Sequence, residues 1–246
     1  MKKIMRILLV SLLAVLFVGG TAMAYPFNIR PIAGTVAANF ATLQTDFNTK
    51  GIGFNAYSDQ IGAAYFVPTG EGSHATYLFS YTSAVYLDDY EIGVYDYVTG
   101  NKLKLWDELT GVLEGQNVSV DWNLGGTTAV SFWNGSSFIT VDTEVGFGPV
   151  FGFYLTSEYG TKYSDDLLNG GLAQMLVFDG ASISSPNYIY VAMEGATNNG
   201  NYTSGNIDFD DFVIKVESIK PVPEPVTLLL LGLGLVGIAG VRRKLK

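Results

Sequence analysis

Three carboxylates within four residues open a predicted strand near the end of the chain: Asp208, Asp210 and Asp211. Apolar and polar residues alternate along that strand, and Asp210 falls in phase with the apolar face. A buried carboxylate is destabilising unless it is paired, hydrogen-bonded or bound to a metal ion. Carboxylate oxygens are ligands that calcium prefers, so these residues, with Glu194 as a fourth ligand, form a candidate calcium site.

The same acidic residues also have a purely structural interpretation. Aspartate at the start of a strand often accepts hydrogen bonds from nearby backbone groups and so stabilises a turn. In water, two like charges 4 Å apart repel each other by only about 1 kcal/mol. The spacing is not that of an EF-hand loop, which needs Asp-x-Asp-x-Asp-Gly and a glutamate at the twelfth position. The sequence alone leaves both interpretations open.

Trp106 is a candidate for binding carbohydrate, because an aromatic face complements the apolar face of a sugar ring. It lies between Lys104-Leu105 and Asp107-Glu108, a charged setting in which we expect exposure. Trp122 and Trp133 lie in predicted strands, where we expect packing in the core.

Catalytic chemistry finds little support in the sequence. The chain has no cysteine and one histidine, His74, which excludes a thiol nucleophile and a site with several histidines. A Gly-x-Ser-x-Gly elbow and a phosphate-binding loop are both missing. Acidic pairs such as Asp88-Asp89 and Asp165-Asp166 fit solvated loops better than a glycosidase cleft. We expect that the protein is not an enzyme.

The elements that must position these residues are predicted to be short strands. Stretches rich in Val, Phe, Tyr and Thr alternate with clusters of Gly, Asn, Asp and Ser, a pattern typical of an all-β fold. This predicts a β-sandwich, jelly-roll-like, over residues 25–220. A short helix is expected from Phe40 to Phe47. The predicted strands are Ala75–Tyr86, Glu91–Tyr97, Val118–Trp122, Thr127–Trp133, Phe138–Val141, Phe147–Thr156, Gln174–Phe178, Tyr188–Glu194 and Phe209–Glu217.

Charge is distributed unevenly along the chain. The net charge is −9 overall, but residues 25–223 contain 7 basic and 22 acidic residues, a net charge of −15. Such a domain repels nucleic acid and attracts cations. We therefore expect no nucleic-acid partner.

The N-terminal end has the pattern of an export signal. Three basic residues lie within the first six positions, and residues 7–18 are almost wholly apolar. Ala22 and Ala24 place small side chains where a signal peptidase needs them. Residues 1–24 are therefore predicted to be a signal peptide, which implies export by the Sec translocon and cleavage by signal peptidase after Ala24.

The C-terminal end, residues 221–246, has three parts in a fixed order. Pro223, Glu224 and Pro225 are predicted to form an extended segment, because proline is incompatible with a helix interior. Residues 226–241 carry no charge and are long enough for a short transmembrane helix. Basic residues follow from 242 to 246. By the positive-inside rule they stay in the cytoplasm, so the acidic domain faces outward.

This order resembles the PEP-CTERM sorting signal of Gram-negative bacteria, with Pro223, Glu224 and Pro225 at the family's defining positions. The resemblance implies processing by an exosortase, a membrane protease that cleaves near the motif. It also implies a secreted or cell-surface protein that is transiently anchored in the inner membrane. Proteins of this family often accompany exopolysaccharide and biofilm production. The function implied is that of a structural or adhesive protein of the surface or matrix. The alternative is a carbohydrate-binding module that docks to polysaccharide.

The region from Thr76 to Glu217 also resembles a secreted bacterial domain, without a settled activity, that often precedes such sorting tails. Asp210 stands where that family leads us to expect asparagine, which raises the local negative charge. The stretches that carry the resemblance are Gly93-Val94-Tyr95-Asp96, Gly152-Phe153-Tyr154-Leu155 and Gly205-Asn206-Ile207-Asp208-Phe209-Asp210-Asp211.

Overall fold

The computed structural model describes residues 40–70, 72–81, 90–107, 117–123, 126–133, 136–170, 173–183, 188–195 and 208–222. The signal peptide predicted for residues 1–24 and the helix predicted for residues 226–241 lie outside these ranges. Among the residues that are described, no helix is both long and apolar enough to span a bilayer.

The described elements are almost all strands. One α-helix, α1, spans Ala41–Thr49, and two short 3-10 helices span Asp166–Asn169 and Gly180–Ile183. The strands are β1 (Gln60–Ile61), β2 (Phe66–Pro68), β3 (Gly72–Tyr81), β4 (Glu91–Asp96), β5 (Lys102–Asp107), β6 (Asn117–Trp122), β7 (Thr127–Trp133), β8 (Phe138–Val145), β9 (Phe151–Ser157), β10 (Gly160–Tyr163), β11 (Met175–Asp179), β12 (Tyr188–Met193), β13 (Phe212–Glu217) and β14 (Ile219–Pro221).

Two antiparallel sheets share one apolar core. The larger sheet has the order β1-β11-β12-β13-β3-β6-β7-β8, and the smaller has the order β14-β2-β9-β4-β5, with β10 also paired to β9. Side chains from both sheets, among them Phe153 and Ile214, pack in the same buried cluster. The all-β expectation is confirmed, and the two facing sheets form a sandwich. The jelly-roll pattern of connections stays a prediction.

A second apolar layer covers part of the larger sheet from outside. Helix α1 and the segment after it place Phe47 and Phe54 against Phe178 of β11, with ring centroids 5.1 and 5.3 Å apart. Strands β11, β12 and β13 are therefore buried on both faces. This burial explains why β11 and β12 are nearly continuous apolar runs, whereas β13 alternates in its second half, where Lys215 and Glu217 are partly exposed. The helix expected from Phe40 to Phe47 is confirmed, one residue later at its start.

Seven of the nine predicted strands are close to strands of the structure. The strand over Thr127–Trp133 has the predicted bounds, and those at 91, 118 and 188 differ by one residue at one end. The strand predicted from Gln174 is shifted by one residue at both ends. The strand at 138 extends four residues further than predicted. The strand predicted from Ala75 begins at Gly72, and its predicted end lies outside the described residues. Strands predicted from Phe147 and Phe209 begin later, at Phe151 and Phe212. Five short or polar strands were missed, namely β1, β2, β5, β10 and β14.

The expected exposure of Trp106 is wrong. Its side chain is 2% exposed and belongs to the core between the sheets. The cause is an irregularity where β5 pairs with β4, since Ile92 lies opposite Trp106 whereas the next residue, Gly93, lies opposite Lys104. Leu105 is the extra residue of this bulge, which turns Trp106 inward where simple alternation would have pointed it to solvent. Trp106 is therefore not a surface platform for a sugar ring.

Two tyrosine rings lie on two glycines at the centre of the smaller sheet. Gly93 of β4 pairs with Tyr154 of β9, and Tyr95 of β4 pairs with Gly152 of β9. Each strand thus contributes one Gly-x-Tyr unit, and each ring rests where the opposite residue has no side chain. A Cβ atom on Gly152 would lie 2.5 Å from Cε1 of Tyr95, and one on Gly93 would lie 2.5 Å from Cε1 of Tyr154. These contacts give a packing reason for two of the sequence stretches noted above.

Asp96 ties the turn after β4 to the segment before β9. Its carboxylate is buried and accepts hydrogen bonds from the backbone of Val98 at 2.6 Å and of Thr99 at 3.0 Å. It also accepts one from the backbone N–H of Gly148. The turn is therefore fixed by a single carboxylate, as expected for an aspartate that opens a tight turn.

The last described strand belongs to the edge of the smaller sheet. In β14, Pro221 pairs with Phe66 of β2, and the backbone N–H of Val222 donates to the carbonyl of Tyr65 at 2.8 Å. The sandwich therefore continues up to the residue before Pro223.

Replacing Gly152 with alanine is expected to destabilise the fold. The new methyl group must displace the ring of Tyr95, and overpacking of this kind costs about 1–3 kcal/mol. Thermal unfolding should then show a melting temperature lower by roughly 2–12 °C for a domain of this size.

Gly62→Ala is the matched control, because a Cβ atom at Gly62 meets nothing within 4 Å. It should leave the melting temperature unchanged or slightly higher. Equal melting temperatures for the two variants would show that the Gly-x-Tyr packing does not matter.

Candidate functional site

The four predicted ligand residues come together where two strands meet. Glu194 follows the end of β12, and Asp208–Asp211 precede the start of β13. Because Met193 pairs with Phe212, the end of β12 lies beside the start of β13. Glu194, Asp210 and Asp211 are buried, whereas Asp208 is partly exposed. We call this group of four side chains the carboxylate cluster.

Two carboxylates of the cluster bind the backbone of the opposite strand end. Oε2 of Glu194 accepts hydrogen bonds from the backbone N–H groups of Asp208 at 3.0 Å and Phe209 at 3.3 Å. In the other direction, Oδ2 of Asp211 accepts one from the backbone N–H of Gly195 at 2.7 Å. Each of these two side chains therefore satisfies buried donors of the neighbouring segment.

The backbone is strained within the cluster. Phe209 has a φ of 58°, a left-handed conformation that costs a non-glycine residue about 1–3 kcal/mol. Its ring is fully buried and stacks on Phe40, with centroids 5.9 Å apart. Aromatic packing on one side and the hydrogen bond to Glu194 on the other hold this conformation. The turn also explains why β13 begins at Phe212 rather than at Phe209.

Burial and mutual repulsion make the cluster hold protons strongly. Burial raises the pKa of Glu194 well above its ordinary value, and the charges of Asp211 and Asp208 raise it further. The pKa of Asp210 is raised from 3.8 to about 8, first by burial and then by a hydrogen bond with the Asp208 side chain. Asp211 and Asp46 add repulsion at Asp210. The cluster therefore carries less negative charge at neutral pH than its composition indicates.

One lysine acts on the cluster from the other sheet. Burial lowers the pKa of Lys162 of β10, while attraction to Glu194 acts in the opposite direction. A further link comes from β9, where the hydroxyl of Ser157 donates to the carbonyl of Gly195 at 2.9 Å. Neither residue carries a sequence signal, since a lone lysine and a lone serine in short strands look like surface residues. Only the packing of the two sheets brings them here.

The structure corrects one detail of the predicted site. Simple alternation puts Asp211 on the face opposite Asp210 and so predicts that it is exposed, but it is buried. Alternation along a strand predicts an exposed face only where nothing covers it, and here the α1 segment packs on that face at Val213. No set of three or more His, Cys, Asp or Glu side chains in the described part of the chain is arranged to hold a metal ion. Calcium binding therefore stays a prediction.

The remaining predicted sites lie outside the described residues. These are the signal peptidase positions Ala22 and Ala24 and the sorting residues Pro223, Glu224 and Pro225.

Comparison with known proteins identifies the end of the chain. Residues 221–244 match the family model of the PEP-CTERM protein-sorting motif. The chain carries a PEP-CTERM motif. This confirms the expected sorting signal, and it implies an extracellular protein that is processed by an exosortase and transiently anchored by its C-terminal tail. Searches of curated proteins and of solved structures gave no match. The PEP-CTERM match begins inside β14, so nearly all of the sandwich lies outside it.

The free energy of unfolding is expected to fall as the pH rises from 5 to 8. With a pKa of about 8, folded Asp210 keeps a proton that the unfolded chain releases near its ordinary value of 3.8. This contribution is fully present below about pH 4 and is lost as the pH rises towards 8. Urea unfolding should give a difference of at least about 1.4 kcal/mol, the equivalent of one pKa unit.

Asp210→Asn should weaken this pH dependence, because the amide stays neutral at every pH and only the contribution of Glu194, whose pKa is also raised, is left in the cluster. Asp121→Asn is the control, since Asp121 is exposed on β6. It should keep the wild-type dependence. A wild-type stability that rises between pH 5 and 8 would contradict the assignment.

Proposed function

We propose that the protein is a structural or adhesive element of the cell surface or extracellular matrix whose carboxylate cluster binds calcium after export. Sorting by an exosortase follows from the PEP-CTERM motif at residues 221–244. The observation that carries the calcium proposal is the gathering of four carboxylates, three of them buried, from two strand ends.

Calcium fits the chemistry of this cluster. All the candidate donors are carboxylate oxygens, the hard ligands that calcium favours, and extracellular sites typically bind it with Kd values of about 10⁻⁴–10⁻³ M. Binding requires the carboxylates to lose their protons and the side chains of Glu194 and Asp210 to turn towards one point. The ion would then replace the protons as the partner of buried negative charge.

The proposal is structural rather than catalytic because of what the carboxylates contact. Glu194 and Asp211 bind backbone N–H groups at the ends of β12 and β13. These contacts join two strands and do not present an acid or base to a cleft. An acidic body with a net charge of −15 over residues 25–223 also suits calcium bridging to anionic exopolysaccharide. A role in exopolysaccharide or biofilm assembly is part of this proposal.

The alternative function, carbohydrate docking, is not supported at Trp106, the residue predicted to bind the sugar. Trp106 is in the core, and it offers no face to a sugar.

Calcium is expected to stabilise the protein at pH 8. With 10 mM calcium and a Kd of about 10⁻⁴–10⁻³ M, the gain is about 1.4–2.7 kcal/mol. This should raise the melting temperature by roughly 3–10 °C for a domain of this size. The increase should be smaller at pH 5, where protons occupy the carboxylates.

Asp211→Asn should lose most of the calcium-induced increase, and Asp121→Asn on β6 should keep it. Magnesium at the same concentration controls for ionic strength. A melting temperature that does not respond to calcium, or that responds equally in both variants, would rule out calcium binding at the cluster.

Processing at both ends is expected in the native host. Mass spectrometry should place the mature N-terminus at Tyr25 and the new C-terminus near Pro223-Glu224-Pro225. In a host without the exosortase, the chain should keep residues 226–246 and remain with the membrane fraction. Glu224→Ala should be processed poorly, whereas Lys220→Ala, an exposed change just before the motif, should be processed normally. Recovery of the full-length, uncleaved chain from the cytosol would overturn the sorting proposal.

A further inference from the structure

The outer side of the smaller sheet, turned away from the core, carries several tyrosines. Val94 of β4 and Leu155 of β9 lie in the core between the sheets. Successive residues of a strand point to opposite sides, so the neighbouring Tyr95 and Tyr154 point outward. Neither belongs to a buried apolar cluster. Tyr163 of β10 pairs with Tyr154 and therefore lies on the same side of the sheet.

The tyrosine rings form a continuous row across the sheet. Between ring centroids, Tyr95 lies 5.1 Å from Tyr163 and 6.2 Å from Tyr65. Tyr65 in turn lies 4.5 Å from Tyr97, which follows the end of β4. Tyr95 is buried between its neighbours, but Tyr65 and Tyr163 are partly exposed. Tyr97 is 48% exposed. We call Tyr65, Tyr95, Tyr97, Tyr154 and Tyr163 the tyrosine face.

The tyrosine face differs from the outer side of the larger sheet. The second apolar layer, which covers part of the larger sheet, includes no described residue of the smaller sheet. A tyrosine ring offers an apolar face to the C–H groups of a sugar ring. Its hydroxyl group can also donate or accept a hydrogen bond with a sugar hydroxyl. The row therefore offers stacking and hydrogen bonding side by side, as a polysaccharide strand requires.

Basic residues collect on the same side of the sheet. Lys102 pairs with Tyr95 and so lies beside the tyrosine face, and Lys104 lies two residues further along β5. Lys220 is exposed on β14, next to Ile219 of the core. These are three of the seven basic residues among residues 25–223, which carry a net charge of −15. The tyrosine face is therefore the part of an acidic body that best suits an anionic ligand.

The carboxylates around the tyrosine face are already engaged with it. Each accepts a hydrogen bond from a side chain on this side of the sheet: Glu91 from Tyr154 at 2.6 Å, Asp107 from Lys104 at 2.6 Å, and Asp165 from Tyr65.

Lys102 is the cation best placed for a ligand. Its side chain is exposed, and its Nζ lies 4.5 Å from the ring centroid of Tyr154 and 5.6 Å from that of Tyr163. These cation–π contacts hold the ammonium group over the row of rings. A carboxylate on a sugar that stacks on the row can therefore pair with it.

We propose that the tyrosine face binds a polysaccharide whose sugars carry carboxylate groups. Tyr65, Tyr97 and Tyr163 contact the sugar rings, and Lys102 pairs with a carboxylate. The inference rests on the proposed function of a surface or matrix protein, to which it adds a direct site for anionic polysaccharide. Binding at the tyrosine face needs no calcium, unlike bridging through the carboxylate cluster.

Calorimetric titration of the full chain tests the proposal. The chain is kept in a polyoxyethylene detergent, which has no sugar headgroup, and EDTA removes calcium. The probe is an oligomer of galacturonic acid, and the neutral galactose oligomer of the same length is its control. We expect the acidic oligomer to bind, and the neutral oligomer to bind several-fold more weakly.

Two pairs of variants locate the site. Lys102→Glu and Lys50→Glu change the net charge equally, but Lys50 lies at the end of α1. Tyr97→Ala and Tyr57→Ala each remove an exposed tyrosine, but Tyr57 contacts Phe40 of the second apolar layer. Lys102→Glu and Tyr97→Ala should each weaken binding several-fold. Lys50→Glu and Tyr57→Ala should leave it unchanged.

Each other outcome overturns a stated part of the argument. Absence of binding in EDTA, or equal weakening within each pair of variants, would overturn the tyrosine face as a binding site. Equal binding of the acidic and neutral oligomers would overturn the assignment of an anionic ligand.

A second titration with calcium separates the tyrosine face from the carboxylate cluster. Binding that appears only with calcium and is lost in Asp211→Asn would overturn the tyrosine face and leave calcium bridging intact. Binding in EDTA by a protein whose melting temperature does not respond to calcium would support the tyrosine face and contradict calcium binding at the cluster.

Discussion

The hydrogen bonds between Glu194, Asp211 and the opposite strand end hold the junction on which the larger sheet depends. Strand β13, which begins at this junction, lies between β12 and β3 and is buried on both faces. Its start must therefore satisfy backbone donors without help from water, and carboxylates are strong acceptors for that purpose. The left-handed turn at Phe209 and the stack of that residue on Phe40 follow from the same junction.

The same burial makes the junction responsive to its surroundings. Carboxylates that satisfy backbone donors from inside a protein also repel one another, and this repulsion is relieved by protons or by a cation. The fold does not supply the protons or the cation, because both come from the surrounding medium. A protein that folds after export meets a different proton and calcium supply from that of the cytoplasm, so a junction of this kind is sensitive to compartment.

Local pattern was enough to predict the strands and the members of the candidate site. Alternation located Thr127–Trp133 with its correct bounds, and the spacing of acidic residues singled out Asp208, Asp210 and Asp211. The predictions that failed concern features that depend on residues far apart in the sequence. The bulge that turns Trp106 inward depends on pairing with β4. The hydrogen bond that buried Asp211 accepts from Gly195 depends on the pairing of β12 with β13. No window of neighbouring residues contains that information.

The passage from β13 to β14 determines how the sandwich carries mechanical load from its C-terminus. A pull on the C-terminus first reaches β14, an edge strand joined to β2 by three residue pairs. If β14 peels away, the load passes through Ser218 to β13, which is joined by six residue pairs to β12 and by five to β3. Unravelling is therefore expected to stop at a strand that cannot leave without breaking the larger sheet, so a sandwich tethered by its C-terminus can lose its last strand under tension and still hold.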